Sequence, residues 1–374
     1  MLVKALERGA CAFHHDASVF ELRVETPIPP ANNDWTLPAA LPLAMALGCE
    51  VQFEPSISPL LLQSVLTIQN IFTAFTSNRW KRVDVAAQPG PASAQRNQNV
   101  GLFFSGGVDS LYSLIKNQDS ITHLVLVHGF DIRLHQTELF SLTEKAAQRV
   151  AAHFGKELIV VRTNLRDFSN PHADWGMYHG AALAMVGLAL SPVLGKCIIA
   201  STNTYNDLPS RGSHPLLDPL WSSEAMSFVH DGLEANRIQK LALIAGNEAA
   251  MSVLRVCWSS EREYNCGRCE KCLRTMAALL ALGKLHACPT LPQRVDPALI
   301  RRVVLNSDPI VAELWMEFEN EASLQPEVRK AIARILSNYR LGLWPITGVR
   351  SGFKRIKSYV RNVYRLSRAM LPGV

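Results

Sequence analysis

An α/β protein with a doubly wound, parallel five-stranded sheet is the fold class the sequence predicts, with a four-cysteine, zinc-binding segment and additional N-terminal α+β and C-terminal helical regions. Three observations lead there. From residue 99 onward short apolar runs alternate with helix-spaced segments, the pattern of a parallel sheet covered on both faces. The turn Ser105-Gly106-Gly107-Val108-Asp109-Ser110 stands between an apolar run and a helical stretch. Four of the eight cysteines crowd between positions 257 and 272.

Residues 1–95 read as a small α+β region. Val19 to Val24 and Val51 to Phe53 alternate like half-buried strands, and Leu61, Val65, Ile68, Phe72 and Phe75 share one helical face. A Pro/Ala/Ser/Gln/Asn-rich stretch, Gln88 to Asn99, reads as a linker. A second region, 99–290, carries strands expected at 100–104, 122–128, 157–162, 196–201 and 252–256. Helices are expected at 107–117, 138–154, 177–190 and 233–245. The remainder, 291–374, is helical in pattern.

Open parallel sheets bind ligands at the carboxyl ends of their strands. The first such end carries the Ser105–Ser110 turn, where helix-start amides and the helix dipole attract anions. Gly106 and Gly107 let backbone approach phosphate oxygens, and the Ser105 and Ser110 hydroxyls and the Val108 amide add donors. No Walker A lysine is present, so this is not the usual β/γ-phosphate cradle. Asp109 is the candidate Mg²⁺ ligand. Arg237 and Lys240, three apart on one helical face, are candidates to neutralise phosphate charge. Polar and aromatic residues in later loops suit a ring-shaped acceptor: Asp131, Asp174, Trp175, Asn203, His214 and Asp218. Prolines 215 and 219 stiffen the segment carrying His214 and Asp218.

Cys257, Cys266, Cys269 and Cys272 are spaced C-x8-C-x2-C-x2-C. Four thiolates complete a tetrahedral zinc shell with no open position. Iron–sulfur ligation is the other chemistry such spacing serves. Cys11, Cys49, Cys197 and Cys288 read as small core residues.

The SGG-x-DS turn resembles the PP-loop of the ATP pyrophosphatase superfamily, whose adenine-nucleotide alpha-hydrolase-like fold cleaves ATP between the α- and β-phosphates. Turn and cysteine spacing together resemble the 7-cyano-7-deazaguanine synthase family, as a divergent branch, over about residues 99–285. The resemblance implies an ATP-dependent ligase that adenylates a carboxylate or amide and passes it to ammonia or an amine. It implies ATP on Ser105–Ser110, adenine near Val127 and His128, Lys240 as the family's helical lysine, and zinc on the four cysteines. The family's Tyr-Pro-Asp-Cys-Arg substrate segment is absent after the fourth strand, where Asn203 and its neighbours stand. The acceptor is therefore expected to differ, and to be a small molecule or a carboxylate linked to protein or nucleic acid. Two competing readings remain: tRNA sulfur transfer, and a zinc-stabilised binding module without turnover.

Hydrophobic content of 48% and charged content of 19% describe a folded chain. The start lacks a secretory pattern, no apolar stretch spans a bilayer, and the cysteines cluster, which together predict a cytoplasmic protein. The net charge of +6 is smaller than the seven Lys/Arg found between Ile346 and Val374, so the rest is near neutral. That tail reads as a basic amphipathic helix for nucleic acid, an anionic membrane surface or the body of the protein; a homodimer is also compatible.

Overall fold

The computed structural model describes residues 1–7, 9–91, 96–259, 262–305, 309–319 and 321–343. The basic tail, with its nucleic-acid and membrane readings, lies outside them. The strands are β1 (Leu2–Ala5), β2 (Ala10–His15), β3 (Ser18–Glu25), β4 (Val51–Phe53), β5 (Val85–Ala86), β6 (Val100–Phe103), β7 (His123–His128), β8 (Glu157–Thr163), β9 (Lys196–Ala200) and β10 (Ser227–Asp231). They form one mostly parallel sheet in the order β10-β9-β6-β7-β8-β3-β2-β1-β4-β5. Five parallel strands run together as β10-β9-β6-β7-β8, four of them at the expected positions. Antiparallel pairing of β3 with β8, through Val24↔Thr163 and Glu25↔Arg162, extends the sheet into the N-terminal strands.

Contacts divide the chain into two compact units: Met1–Arg255 with Glu261–Tyr264, and Val256–Ser260 with Asn265–Val374. The region read as a separate 1–95 unit therefore belongs with the sheet that follows it, and the cysteines belong with the C-terminal helices. In the first unit lie α1 (Thr36–Leu47), α2 (Pro59–Phe75), α3 (Val108–Lys116), α4 (Thr137–Phe154), α5 (Leu165–Ser169), α6 (Trp175–Ala189), α7 (Arg237–Ile244) and α8 (Glu248–Met251). The second holds α9 (Glu270–Ala281), α10 (Pro297–Ile300), α11 (Pro309–Met316) and α12 (Pro326–Arg340).

One strand is corrected. The apolar run 252–256 forms no strand, and the fifth parallel strand is β10. Val253 and Leu254 are buried, but Arg255 N–H bonds to the Gly106 carbonyl (2.8 Å), so the run lines a turn rather than a ladder. β10, Ser-Phe-Val-His-Asp, carries too few apolar residues to show periodicity. It forms because Phe228 packs on α6 at Gly187, where a Cβ would stand 2.4 Å from its ring.

Helix α6 is apolar on every side because it is buried on every side. α1 packs along it, and Tyr178 Oη donates to the Ala39 carbonyl (2.5 Å). Gly180 lets the 209–214 loop touch α6 backbone to backbone, since a Cβ there would stand 2.1 Å from the Gly212 carbonyl oxygen.

The start of α2 is fastened by two carboxylates. Buried Asp34 accepts from Ser58 N–H (2.7 Å), while Glu224 accepts from Ser58 Oγ (2.5 Å) and Leu60 N–H (3.0 Å). Burial pushes Asp34 up to about 6; the Ser58 amide opposes this and Glu224 adds to it. A carboxyl with a raised folded-state pKa stabilises most below its unfolded value of 3.8, and that contribution falls as pH rises toward about 6. Asp34→Asn keeps an acceptor for Ser58. It should therefore flatten this slope and raise stability at pH 7 by about 1–3 kcal/mol. Melting curves of both proteins at pH 4, 5, 6 and 7 check it, and parallel curves would contradict it.

Candidate functional site

The sheet order creates a switch point. β7 and β8 follow on one side of β6, and the chain then returns to add β9 and β10 on the other. A crevice between helices leaving in opposite directions opens at such a point, here at the carboxyl ends of β6 and β9. The Ser105–Ser110 turn follows β6, and Ser201, Thr202 and Asn203 follow β9.

Gly106 takes the left-handed conformation (φ +71°) that turns the chain from strand to helix. Gly107 is the N-cap of α3 and has no side-chain acceptor, so the first-turn N–H groups lack the usual capping oxygen. The serines fasten the turn. Ser110 Oγ donates to the Gly107 carbonyl (3.1 Å) and accepts from Ser105 N–H (3.4 Å), while Ser105 Oγ accepts from Gly107 N–H (3.3 Å). Val108 is buried behind them.

Asp109, on the first turn of α3, meets residues from two distant segments. Lys240 Nζ lies 3.3 Å from one carboxylate oxygen, and an Arg237 guanidinium nitrogen lies 3.4 Å from the other. Thr202 Oγ1 donates to the second oxygen (3.1 Å). Lys240, 1% exposed, also donates to the Ser201 carbonyl (2.5 Å). An Asn236/Gln239 capping box starts α7 and fixes where both cations leave it. Burial pushes Asp109 up, but the charges of Arg237 and Lys240 and the hydrogen bonds from Lys240 and Thr202 outweigh it and hold the carboxyl below its ordinary range. With two cations already on it, Asp109 is a poor ligand for Mg²⁺.

Arg255 escaped the sequence reading because its segment looked like a strand. It is 8% exposed, as is Arg237, and the Nε of each is buried with no hydrogen-bond partner. Among the described ion pairs Arg237 has Asp109 alone, and Arg255 has none.

The remaining candidates scatter. His128 lies flat on Phe140 (centroids 3.9 Å apart) and bonds through Nε2 to the Arg133 carbonyl (3.0 Å). Burial lowers its pKa, so the ring is a neutral packing element between β7 and α4. Val127 beside it is half-buried. Asp131 is exposed. Asp174 opens α6, its carbonyl accepting from Met177 N–H (3.0 Å). Trp175 tilts against Phe130 (5.2 Å) under the Arg166 guanidinium (4.3 Å). Asn203 exchanges backbone bonds with Ser201 Oγ.

His214 and Asp218 do not pair ring to carboxylate. His214 Nδ1 accepts from Leu216 N–H (3.1 Å) and its ring sits edge-on to Phe75. Asp218, wholly buried, accepts instead from His230 Nδ1 (2.6 Å), Ser213 Oγ (2.8 Å) and His214 N–H (3.3 Å). His230 stands next to the end of β10, so missing that strand hid this pair. Its Nε2 has no hydrogen-bond partner among the described residues.

In the second unit the Sγ atoms of Cys257, Cys266, Cys269 and Cys272 all lie within 4.8 Å of one another. Cys266 and Cys272 are 4.0 Å apart, and Cys257 and Cys269 3.9 Å. Zinc–sulfur bonds of about 2.3 Å make a tetrahedron with edges of about 3.8 Å, so the four fit one such ion. A cluster, whose thiolates hold different irons, would spread them further. Gly267 (φ +67°) turns the chain between Cys266 and Cys269, and Cys269 then caps α9. The Cys272 thiol draws Cys269 down to about 4, and the same bond pushes Cys272 up. Asn265 braces the site from behind: its Oδ1 accepts from Val256 N–H (2.9 Å) and Cys257 N–H (3.1 Å), and its Nδ2 donates to Thr290 (3.2 Å).

Fold and site together define an α/β protein with a mostly parallel sheet, a cation-rich turn at its switch point and a four-cysteine cluster that could hold a metal ion. Among the described residues no helix is long and apolar enough to cross a membrane. Comparison of the chain with protein-family models, with curated proteins and with solved structures finds no match.

Proposed function

We propose that this chain is an ATP-dependent ligase of the PP-loop type, akin to the 7-cyano-7-deazaguanine synthases, which adenylates a carboxylate and transfers it to nitrogen. One observation carries the reading. Asp109 on α3, Thr202 after β9 and the two cations of α7 meet at the switch point, beside helix amides that lack a side-chain cap.

In the first step a carboxylate oxygen of the acceptor attacks the α-phosphorus, the bond to the β-phosphate oxygen breaks, and pyrophosphate leaves. Positioning and charge neutralisation supply most of the catalysis in such a displacement. The turn amides and the cations of α7 serve that purpose, with Asp109 holding the two cations in place. In the second step an amine lone pair attacks the acyl carbon, AMP leaves with its bridging oxygen, and the nitrogen gives up a proton. Cys257, Cys266, Cys269 and Cys272 would hold a zinc ion with four thiolates, and such an ion would serve a structural role.

The test is the identity of the nucleotide products. Protein with ATP, ammonia and 7-carboxy-7-deazaguanine, or another aromatic carboxylate in its place, should form AMP and pyrophosphate in equal amounts. ADP and phosphate as the products would overturn the proposal.

A further inference from the structure

We infer that Arg255 is a phosphate-binding residue of the switch-point site and that it holds the pyrophosphate part of ATP. The inference rests on reading the Ser105–Ser110 turn as the ATP site. Arg255 is tied to that turn by its backbone: its N–H donates to the Gly106 carbonyl (2.8 Å). Its own carbonyl lies 3.6 Å from where a Cβ on Gly107 would stand, and its Cβ lies 3.7 Å from the corresponding point on Gly106. The side chain thus leaves the backbone beside the glycines that open the turn.

The charge on that side chain is unanswered. Arg255 is 8% exposed, its Nε is buried without a partner, and it makes no ion pair among the described residues. Burying a guanidinium in this way is costly unless an anion completes it. Asp109 does not, being engaged by Arg237 and Lys240. Two cations already share one carboxylate on the first turn of α3, and a third, Arg255, leaves the backbone beside the glycines of the same turn, an arrangement that favours a polyanion. Arg237 and Lys240 attend the Asp109 side of the turn, and Arg255 the Gly106–Gly107 side. A phosphate chain reaching past the α-phosphate meets both. Guanidinium geometry suits it, because two N–H groups can meet two phosphate oxygens.

Calorimetric titrations with inorganic pyrophosphate, ATP and AMP test the inference on wild type, Arg255→Met and Arg255→Lys, with melting temperatures recorded for each. Loss of a charged, two-pronged contact should weaken pyrophosphate and ATP binding to Arg255→Met by about 10–100-fold and AMP binding by less than about 3-fold. Arg255→Lys keeps the charge without the fork and should fall between, about 3–10-fold weaker for pyrophosphate. If Arg255→Met does not fold, the lysine variant is read alone against the same split between pyrophosphate and AMP. Unchanged pyrophosphate binding in a folded variant, or equal losses for AMP and pyrophosphate, would overturn the role of Arg255 and leave the ATP site standing. A wild-type protein that binds neither ATP nor pyrophosphate would overturn the reading of the turn itself.

Discussion

Asp109→Ala is expected to destabilise the first unit by about 3–5 kcal/mol as well as to abolish ATP turnover, because it strips from a buried lysine its only carboxylate partner among the described residues. Lys240 is 1% exposed, and after the substitution its ammonium keeps, among the described residues, the Ser201 carbonyl alone as a hydrogen-bond acceptor. Arg237 loses its ion-pair partner at the same time. Lys240→Met should cost less, about 1–2 kcal/mol, since Asp109 keeps Arg237 and Thr202 and the replacement fills a similar volume. The double variant should recover more than about 1 kcal/mol of the summed losses, the mark of coupled residues. Urea denaturation of the four proteins measures this. Additive single effects would show that the pair is not coupled. The pH dependence has a definite sign: Asp109 is held below its ordinary pKa of 3.8, so its contribution is present above that value and is lost as pH falls below it.

Cys272→Ser should have the second large effect, confined to the second unit. Cys272 is wholly buried at the start of α9, and a serine there leaves three thiolates around the ion. Purified wild type is expected to contain about one zinc per chain, and the variant much less. A structural zinc contributes several kcal/mol to its domain, so the variant's melting temperature should drop by about 10 °C or more. Adding a chelator to wild type should reproduce the drop. Protein without zinc, melting together with Cys272→Ser, would contradict the assignment.

Chemistry set by neighbours along the chain could be read before any fold was known. The turn at Ser105–Ser110 is a local event, in which two glycines between an apolar run and a helical stretch leave few other conformations. The cysteines are similar: their spacing brings four thiols within 4.8 Å across a short knuckle. Alternating strands and helices made a parallel sheet the expected centre, and four of its five strands lie where apolar runs indicated. Arg237 and Lys240 share a face for the same local reason, although nothing nearby says what that face meets.

What they meet is a matter of sheet order. Asp109 lies 128 residues from Arg237 and 131 from Lys240, and they touch because the chain crosses back over β6 to build β9 and β10 before α7. The same crossing puts His230, on a strand with almost no apolar pattern, against Asp218 in place of His214. It also turns a strand-like run into the lining of the Gly106 turn, which brings Arg255 to the site. The N-terminal strands join the sheet through two residue pairs, Val24 with Thr163 and Glu25 with Arg162, which no local pattern records. Periodicity and spacing report what a residue and its near neighbours prefer. Partners more than a hundred residues apart are chosen by how strands add to one sheet, and that choice is made only when the whole core closes.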